Sequence, residues 1–139
     1  MKKNIFLGCG IGILIIFGIF ISKAKSVSND NQMWKDYEVT KINIENKNYK
    51  VVIANKPDQW QQGLMNIRKP VDFDGMLFVF PYKSKQSFWN KNTLVDLRLL
   101  WLSDGQVVGE VDLPSIEKSR TIVTVSSPDA VDSVLEIIK

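Results

Sequence analysis

The sequence predicts a mainly β domain of the α+β class. We expect a compact barrel-like sheet of about seven short strands with two short helices, preceded by one N-terminal hydrophobic helix. Short apolar or alternating segments are separated by turn residues at intervals of about 8–12, which is typical of sandwiches and barrels. No segment has the length of a long crossover helix for a parallel sheet. The 45% apolar content, with four Trp and seven Phe, is sufficient for one hydrophobic core.

The first half of the folded part is predicted to form a β-hairpin, a helix and a buried strand. Apolar residues alternate or recur over residues 37–54 on both sides of Asn46-Lys47-Asn48, as in a hairpin. Pro57 then marks a helix start, and Lys69-Pro70 ends that helix. Its apolar residues recur at helical spacing: Trp60, Gly63, Leu64 and Ile67. The continuous apolar run over residues 76–80 indicates a strand buried on both faces.

The second half is predicted to contain the remaining strands and a second helix. The strand segments are residues 87–89, 95–102, 106–113, 121–126 and 135–138. Asp104-Gly105 is a hairpin turn, because this pair tolerates the positive φ that tight turns need. Residues 114–120 are expected to form a loop. Ser127 is a predicted helix N-cap, with Pro128 at the first helical position.

The N-terminal region is predicted to be a signal anchor or signal peptide over residues 1–25. Its transmembrane helix would comprise residues 5–21, an uncharged run without proline. Such a helix spans about 25 Å, the short end for a bilayer core. Residues 26–35 are polar and predict a flexible tether, and residues 36–139 form the β-rich domain.

The charges around this hydrophobic run predict an extracytoplasmic location. Lys2 and Lys3 favour an N terminus that stays inside, so the folded domain is expected to be membrane-anchored on the outer side. It would be secreted if cleavage occurs after Ala24. Cys9 precedes most of the apolar run, so we interpret it as a small apolar residue of the helix rather than a lipidation site.

The composition excludes several classes of function. The net charge is +3, yet the chain from residue 27 onward contains 14 Lys and Arg against 15 Asp and Glu. No basic run is interleaved with aromatic residues, so we expect no nucleic-acid partner. The chain has no histidine and one cysteine, which excludes an intramolecular disulfide, histidine acid–base catalysis and histidine-ligated zinc. We expect neither a metal nor a cofactor.

Four blocks of residues occur in an order that resembles a known family. The blocks are Gly63-Leu64-Met65-x-x-Arg68, Asp74-Gly75-Met76-Leu77-Phe78-x-Phe80, Phe88-Trp89-x-Lys91-Asn92-Thr93, and Leu97 with Asp104-Gly105. Over roughly residues 39–138 the chain resembles the domain-of-unknown-function family 192, small prokaryotic proteins often made with a signal peptide. The resemblance implies a compact, mostly β, barrel-like fold and no established activity. Two positions depart from the family: Asn90 replaces the usual Met, and Asp96-Leu97-Arg98 replaces Pro-Leu-Asp.

Six polar or aromatic residues are candidate ligand-binding groups: Arg68, Trp89, Asn92, Thr93, Asp96 and Arg98. Asp96 and Arg98 are two apart in a predicted strand and share one face, either as a polar pair in a groove or as a surface ion pair. Trp89 beside Asn92 and Thr93 suits a sugar or a peptide. Alternatively, Trp89 is core and its two neighbours satisfy backbone groups. Arg68 either points into the same groove or caps the preceding helix.

These candidates predict a binding or accessory module for an envelope component or a protein partner. The expected partners are the membrane, through residues 5–21, and an envelope glycan, peptide or protein. One alternative is a carboxylate-dependent hydrolase or lyase acting on envelope carbohydrate, with Asp96 and either Arg68 or Arg98. Another is a purely structural envelope protein. Only one suitable carboxylate is recognisable, so binding is favoured over catalysis.

Overall fold

The computed structural model describes residues 34–139. The predicted signal anchor, its transmembrane helix and most of the tether lie outside the described residues. Within the described part, no helix has the length and apolar character needed to cross a membrane. This part contains, in chain order, β1 Val39–Ile44, β2 Lys47–Ala54, α1 Pro57–Gln62, β3 Gly75–Ser84, β4 Ser87–Trp89, β5 Leu97–Ser103, β6 Gln106–Leu113, α2 Ile116–Ser119, β7 Thr124–Ser126 and β8 Val131–Ile138.

The strands form one large sheet and one small one. The large sheet has six strands in the order β1-β2-β3-β8-β5-β6, and β4 pairs with β7 in the second sheet. The domain is therefore mainly β with two short helices, as predicted. The expected barrel-like closure is wrong, because β1 and β6 are the two edges of the large sheet and do not pair with each other. A period-two pattern reports which face of a strand is buried, but not whether the first and last strands of a sheet meet.

One strand pair is parallel, which the sequence had not predicted. β2 and β3 run parallel from Val51 opposite Gly75 to Ala54 opposite Phe78. The chain returns between them through α1 and the loop after it. A parallel crossover needs only about a dozen residues, so the short helix α1 is sufficient.

The predicted first helix is shorter than its apolar pattern. α1 ends at Gln62, because Gly63 has a φ of +46° that L side chains rarely adopt. Leu64 and Ile67 are nevertheless buried, each 2% exposed. The spacing therefore identified core residues correctly, although the segment that carries them is a turn rather than a helix.

The second helix lies in a segment that was predicted to be a loop. Ser115 caps it, since its side chain accepts a hydrogen bond from the Lys118 amide at the start of α2. The predicted helix start at Ser127 is wrong. The Ser127 hydroxyl instead donates to the Asp129 carbonyl at 2.7 Å and accepts from the Gln86 amide at 3.0 Å. These bonds hold the start of β4 against the chain after β7.

The large sheet buries apolar side chains on both faces. One face carries the smaller cluster, which includes Val51 and Leu135. The other face carries the larger cluster, which includes Phe78 and Trp101. The β4–β7 pair covers this second face, because Phe88 packs on the larger cluster with its ring edge-on to both Phe78 and Trp101.

Asn90 anchors the segment that links β6 to β7. The side chain is fully buried, and its amide nitrogen donates to the Pro114 carbonyl at 2.9 Å and to the Ser119 hydroxyl at 2.8 Å. Its amide oxygen accepts from the Val123 backbone amide at 2.8 Å. The departure from the methionine of the family pattern is thus matched by a local set of polar partners.

Asn90→Ala is expected to lower the free energy of unfolding by about 2–4 kcal/mol, because it leaves several buried polar groups without partners. Urea unfolding followed by circular dichroism measures this loss. Asn43→Ala is the matched control, since that amide bonds to Asn48 on the exposed β1–β2 hairpin, and its cost should stay below about 0.5 kcal/mol. Similar losses in the two variants would contradict the anchoring role of Asn90.

Candidate functional site

A cavity of about 120 Å³ opens between the C-terminal end of α1, β3, β4 and β8. It lies on the face of the large sheet that the β4–β7 pair covers. Five aromatic residues and one acidic residue are among those that line it: Trp60, Phe78, Phe80, Phe88, Trp89 and Glu136. The lining therefore combines aromatic rings with polar groups and a single acidic residue.

The aromatic walls are fixed by contacts among themselves. Phe78 and Phe88 meet at right angles with their ring centroids 4.8 Å apart, and Trp60 lies 5.4 Å from Phe80. The Trp60 indole N–H also donates to the Ala54 carbonyl at 3.0 Å. Such pairs add about 0.5–1.5 kcal/mol each to the burial of the rings. The walls are thus preorganised.

A glycine and a backbone hydrogen bond fix the turn after α1 beside the cavity. At Gly63 a β-carbon would lie 3.6 Å from Phe78 Cζ, and the positive φ there favours glycine. The Asn66 amide donates to the Asn92 carbonyl at 2.8 Å. This bond ties the turn after α1 to the turn after β4, so the two sides of the cavity are joined.

Neutral polar groups surround the aromatic walls. Gln61, Gln62, Gln86, Ser87 and Thr93 line the cavity, and none of them is ionisable at ordinary pH. Ser87 shares a hydrogen bond of 2.8 Å with Ser126, and the Gln86 side chain donates to the Ser84 hydroxyl at 2.8 Å. These side chains therefore add hydrogen-bonding groups but no charge to the lining.

Glu136 is the unusual group of the cavity. It lies on β8 opposite Met76 of β3 and Leu99 of β5, so both neighbouring strands present apolar residues beside it. The residue is 4% exposed, and its Oε2 atom has no hydrogen-bond partner within the described residues. Burial raises the pKa of the Glu136 carboxyl to about 8, from an ordinary value of 4.5.

A buried acid without a partner is costly for the folded state. Desolvation disfavours the charged form, so at neutral pH the Glu136 carboxyl is mostly protonated. Glutamate is rarely buried unless it is paired, and strongly perturbed acids in clefts are typical of functional sites. Glu136 and the aromatic walls above it therefore form the candidate site.

Two of the six predicted site residues line this cavity. Trp89 forms part of its wall and is 49% exposed, whereas Thr93 is 4% exposed. Asn92 follows at the surface with a φ of 54°, and its carbonyl holds the turn after α1. Trp89 and Thr93 thus line the cavity, whereas Asn92 contributes a backbone bond to the turn after α1.

The other three predicted residues lie elsewhere and bond to other partners. Arg68 pairs with Glu117 at 2.9 Å, and Arg98 pairs with Asp112 across the β5–β6 ladder at 3.3 Å. Arg68 does not cap α1, which has already ended at Gln62.

Asp96 stabilises the turn before α2. The prediction that Asp96 and Arg98 share one strand face is wrong, because Asp96 precedes the first residue of β5. Its carboxylate accepts from the Ser115 amide at 2.8 Å and from the Lys118 ammonium at 3.1 Å. The hydrogen bond from the Ser115 amide, followed by that from Lys118, lowers the pKa of the Asp96 carboxyl.

Glu136 is not among the site residues predicted from the sequence. The available signal was one carboxyl side chain inside the apolar run of residues 134–138, in a segment predicted to be a strand. An acid at such a position is either on the exposed face of an edge strand or buried for a reason.

The family model for uncharacterized ACR proteins, the domain-of-unknown-function family 192, matches residues 39–139. The chain belongs to this family. The match covers all eight strands and both helices of the described part. It therefore includes every element that lines the cavity.

Two solved structures resemble this family member. A Sinorhizobium meliloti 1021 protein, provisionally named a transcription regulator, is 27% identical, with a TM-score of 0.60 over 82% of this chain and 84% of that chain. A Novosphingobium aromaticivorans DSM 12444 protein of unknown function is 17% identical, with a TM-score of 0.64 over 84% of this chain and 83% of the other, and it supports the fold alone. No curated protein matches this chain.

Proposed function

We propose that this family member is a binding module that takes one chemical group of a larger ligand into the Glu136 cavity. We further propose that it works outside the cytoplasm, tethered or secreted through residues 1–25. The observation that carries the binding proposal is the buried Glu136 carboxyl, whose Oε2 atom has no hydrogen-bond partner among the described residues, in a cavity lined by preorganised aromatic rings. A purely structural role gives no reason to keep such a group, since an apolar side chain there would be more stable.

The dimensions of the site favour binding of a group rather than of a whole molecule. Cavities that enclose entire small ligands measure about 300–1,000 Å³, and this one is about 120 Å³. The half-exposed Trp89 ring lies at its wall and offers a surface on which the rest of a ligand can rest. We propose an envelope peptide or glycan as the partner class, because the location proposed for the domain is extracytoplasmic.

The hydrolase or lyase alternative has less support. Carboxylate-dependent glycoside hydrolysis uses a pair of acids. Glu136 is the only acid among the described residues that line the cavity, and Asp96 is bonded to Ser115 and Lys118. The name of the Sinorhizobium relative does not lead us to propose nucleic-acid binding, because acidic residues balance basic ones from residue 27 onward.

A thermal-shift screen of the purified full-length chain against envelope peptides, peptidoglycan fragments and glycans tests the proposal. A ligand at 100 times its Kd is expected to stabilise the fold by about 2.7 kcal/mol, which raises Tm by several degrees. Trp89→Ala should abolish the shift. Arg98→Ala should preserve it, because Arg98 pairs with Asp112 away from the cavity. A shift that survives in Trp89→Ala, or no shift with any compound, would contradict binding at this site.

A further inference from the structure

We infer that the cavity binds an unbranched primary ammonium group, such as the end of a lysine side chain, and that its N–H donors bond to the Glu136 carboxylate. This inference rests on the proposed function, since it names the chemical class that the same cavity would take. Three features of the described residues support it: the charge of the lining, the aromatic walls and the volume.

The charge of the lining excludes an anionic group. Glu136 is the only ionisable side chain with a carboxyl or amino group among the described residues that line the cavity. The residues opposite Glu136 are Met76 on β3 and Leu99 on β5. The residues of α1 and β4 that line the cavity are neutral. An anion would therefore find no countercharge there, whereas a cation would find one in Glu136.

The aromatic walls favour a cation over a neutral group. Ring faces carry negative electrostatic potential and attract ammonium groups within about 6 Å of the centroid. Trp89 already shows this geometry in the chain itself, since Lys91 Nζ lies 5.2 Å from the centroid of its ring. A second ammonium inside the cavity would meet the same kind of surface, together with the carboxylate that a desolvated cation requires.

The volume limits the shape of the bound group. A cavity of about 120 Å³ accommodates a short alkyl chain with its ammonium head, but not a sugar ring with its substituents. The apolar side chains Phe78 and Leu64 also line it and can pack against methylene groups. An unbranched alkylammonium fits both these apolar side chains and the single acid.

Binding of an ammonium must be coupled to loss of the Glu136 proton. The free carboxyl is mostly protonated at neutral pH because burial raises its pKa to about 8. No other ionisable group from α1, β3, β4 or β5 faces it among the described residues. The affinity for an ammonium should therefore increase about tenfold per pH unit up to about pH 8 and then level off.

Calorimetric titration of the full-length chain with n-butylammonium, 1-butanol and butyrate tests the inference, because the three probes share a chain length and differ in the head group. We expect n-butylammonium to bind most tightly, with an affinity about tenfold higher at pH 7 than at pH 6. At pH 7 nearly one proton should be released per ammonium bound, as shown by titration in buffers of different ionisation enthalpy. In Glu136→Gln, which keeps the shape of the side chain, the preference for ammonium over butanol should disappear.

The outcomes separate this inference from the proposed function. Equal or tighter binding of butanol or butyrate would overturn the ammonium class and leave the cavity as a binding site. Ammonium binding without proton release, or unchanged in Glu136→Gln, would overturn the role of Glu136. Failure of n-butylammonium to bind would also overturn the inference. The proposed function would be overturned only if the thermal-shift screen also found no ligand.

Discussion

Glu136→Leu is expected to stabilise the domain by about 3–5 kcal/mol at pH 8. Burial raises the pKa of this carboxyl from 4.5 to about 8, so the folded state binds its proton more tightly than the unfolded state. The contribution of Glu136 to stability is therefore complete below about pH 4.5 and is lost as the pH rises through about 8. A leucine removes that loss and the desolvation of the polar group.

Urea unfolding at pH 5 and pH 8 measures this effect. The wild-type chain should lose several kcal/mol more than Glu136→Leu between the two pH values. Only in the wild-type chain must residue 136 take up a proton on folding or be buried with its charge, and both become more costly as the pH rises above the ordinary pKa of 4.5. Glu110→Leu makes the same chemical change on the exposed side of β6 and should shift stability by less than about 0.5 kcal/mol. A Glu136→Leu variant that is no more stable at pH 8 than the wild-type chain would contradict the burial argument.

A stabilising substitution at Glu136 would also bear on function. Natural proteins retain destabilising groups at sites where activity requires them. We expect Glu136→Leu to be more stable than the wild-type chain and to lose ligand binding. Replacement of an exposed acid should change neither stability nor binding.

Gly75→Ala is expected to destabilise the domain by about 3 kcal/mol or more. A β-carbon at Gly75 would lie 1.9 Å from the Glu136 carbonyl oxygen and 2.9 Å from the Glu136 carbonyl carbon. Both atoms belong to the backbone of β8, which pairs with β3 on one side and β5 on the other. Relief of the overlap would require β3 and β8 to separate, so the strain cannot be removed by a rotamer change.

Gly109→Ala provides the matched control in the same sheet. Its β-carbon would meet the side chains of Pro128 at 3.1 Å and Trp101 at 3.4 Å rather than backbone atoms. We expect a change of less than about 1 kcal/mol, since small shifts of those side chains suffice and alanine restricts the unfolded chain. Guanidinium unfolding of both variants checks the difference, and equal losses would show that the β3–β8 contact at Gly75 is not as close as described.

Local patterns in the sequence predicted most of the strands. The β1–β2 hairpin follows from alternation on both sides of a turn, where Glu45 and Asn46 have positive φ. The β5–β6 hairpin follows in the same way from the turn Asp104-Gly105. Such hairpins are predictable because the two strands are consecutive in the chain and a turn of two residues alone brings them together.

The helix start predicted at Ser127 was wrong because a residue distant in the chain bonds to the serine hydroxyl that would have capped the helix. Ser115 and Ser127 both carry a hydroxyl suited to an N-cap. Ser115 binds the Lys118 amide and caps α2, whereas the Ser127 hydroxyl accepts from Gln86, 41 residues away in the chain. Nothing local to either serine distinguishes the two outcomes.

The candidate site also contains one part that local sequence predicts and one part that depends on distant pairings. The block from Trp89 to Thr93 could be proposed from its own residue types, because an aromatic ring beside an amide and a hydroxyl suits a sugar or a peptide, and its binding role stays a prediction. Glu136 acquires its burial from the insertion of β8, the last strand of the chain, between β3 and β5 at the centre of the sheet. Composition and spacing established a mainly β domain with turns at the right places, since those depend on neighbours in the chain. The strand order, the open sheet and the buried acid depend on pairings between residues far apart in the chain, such as Met76 with Glu136, and only packing selects those.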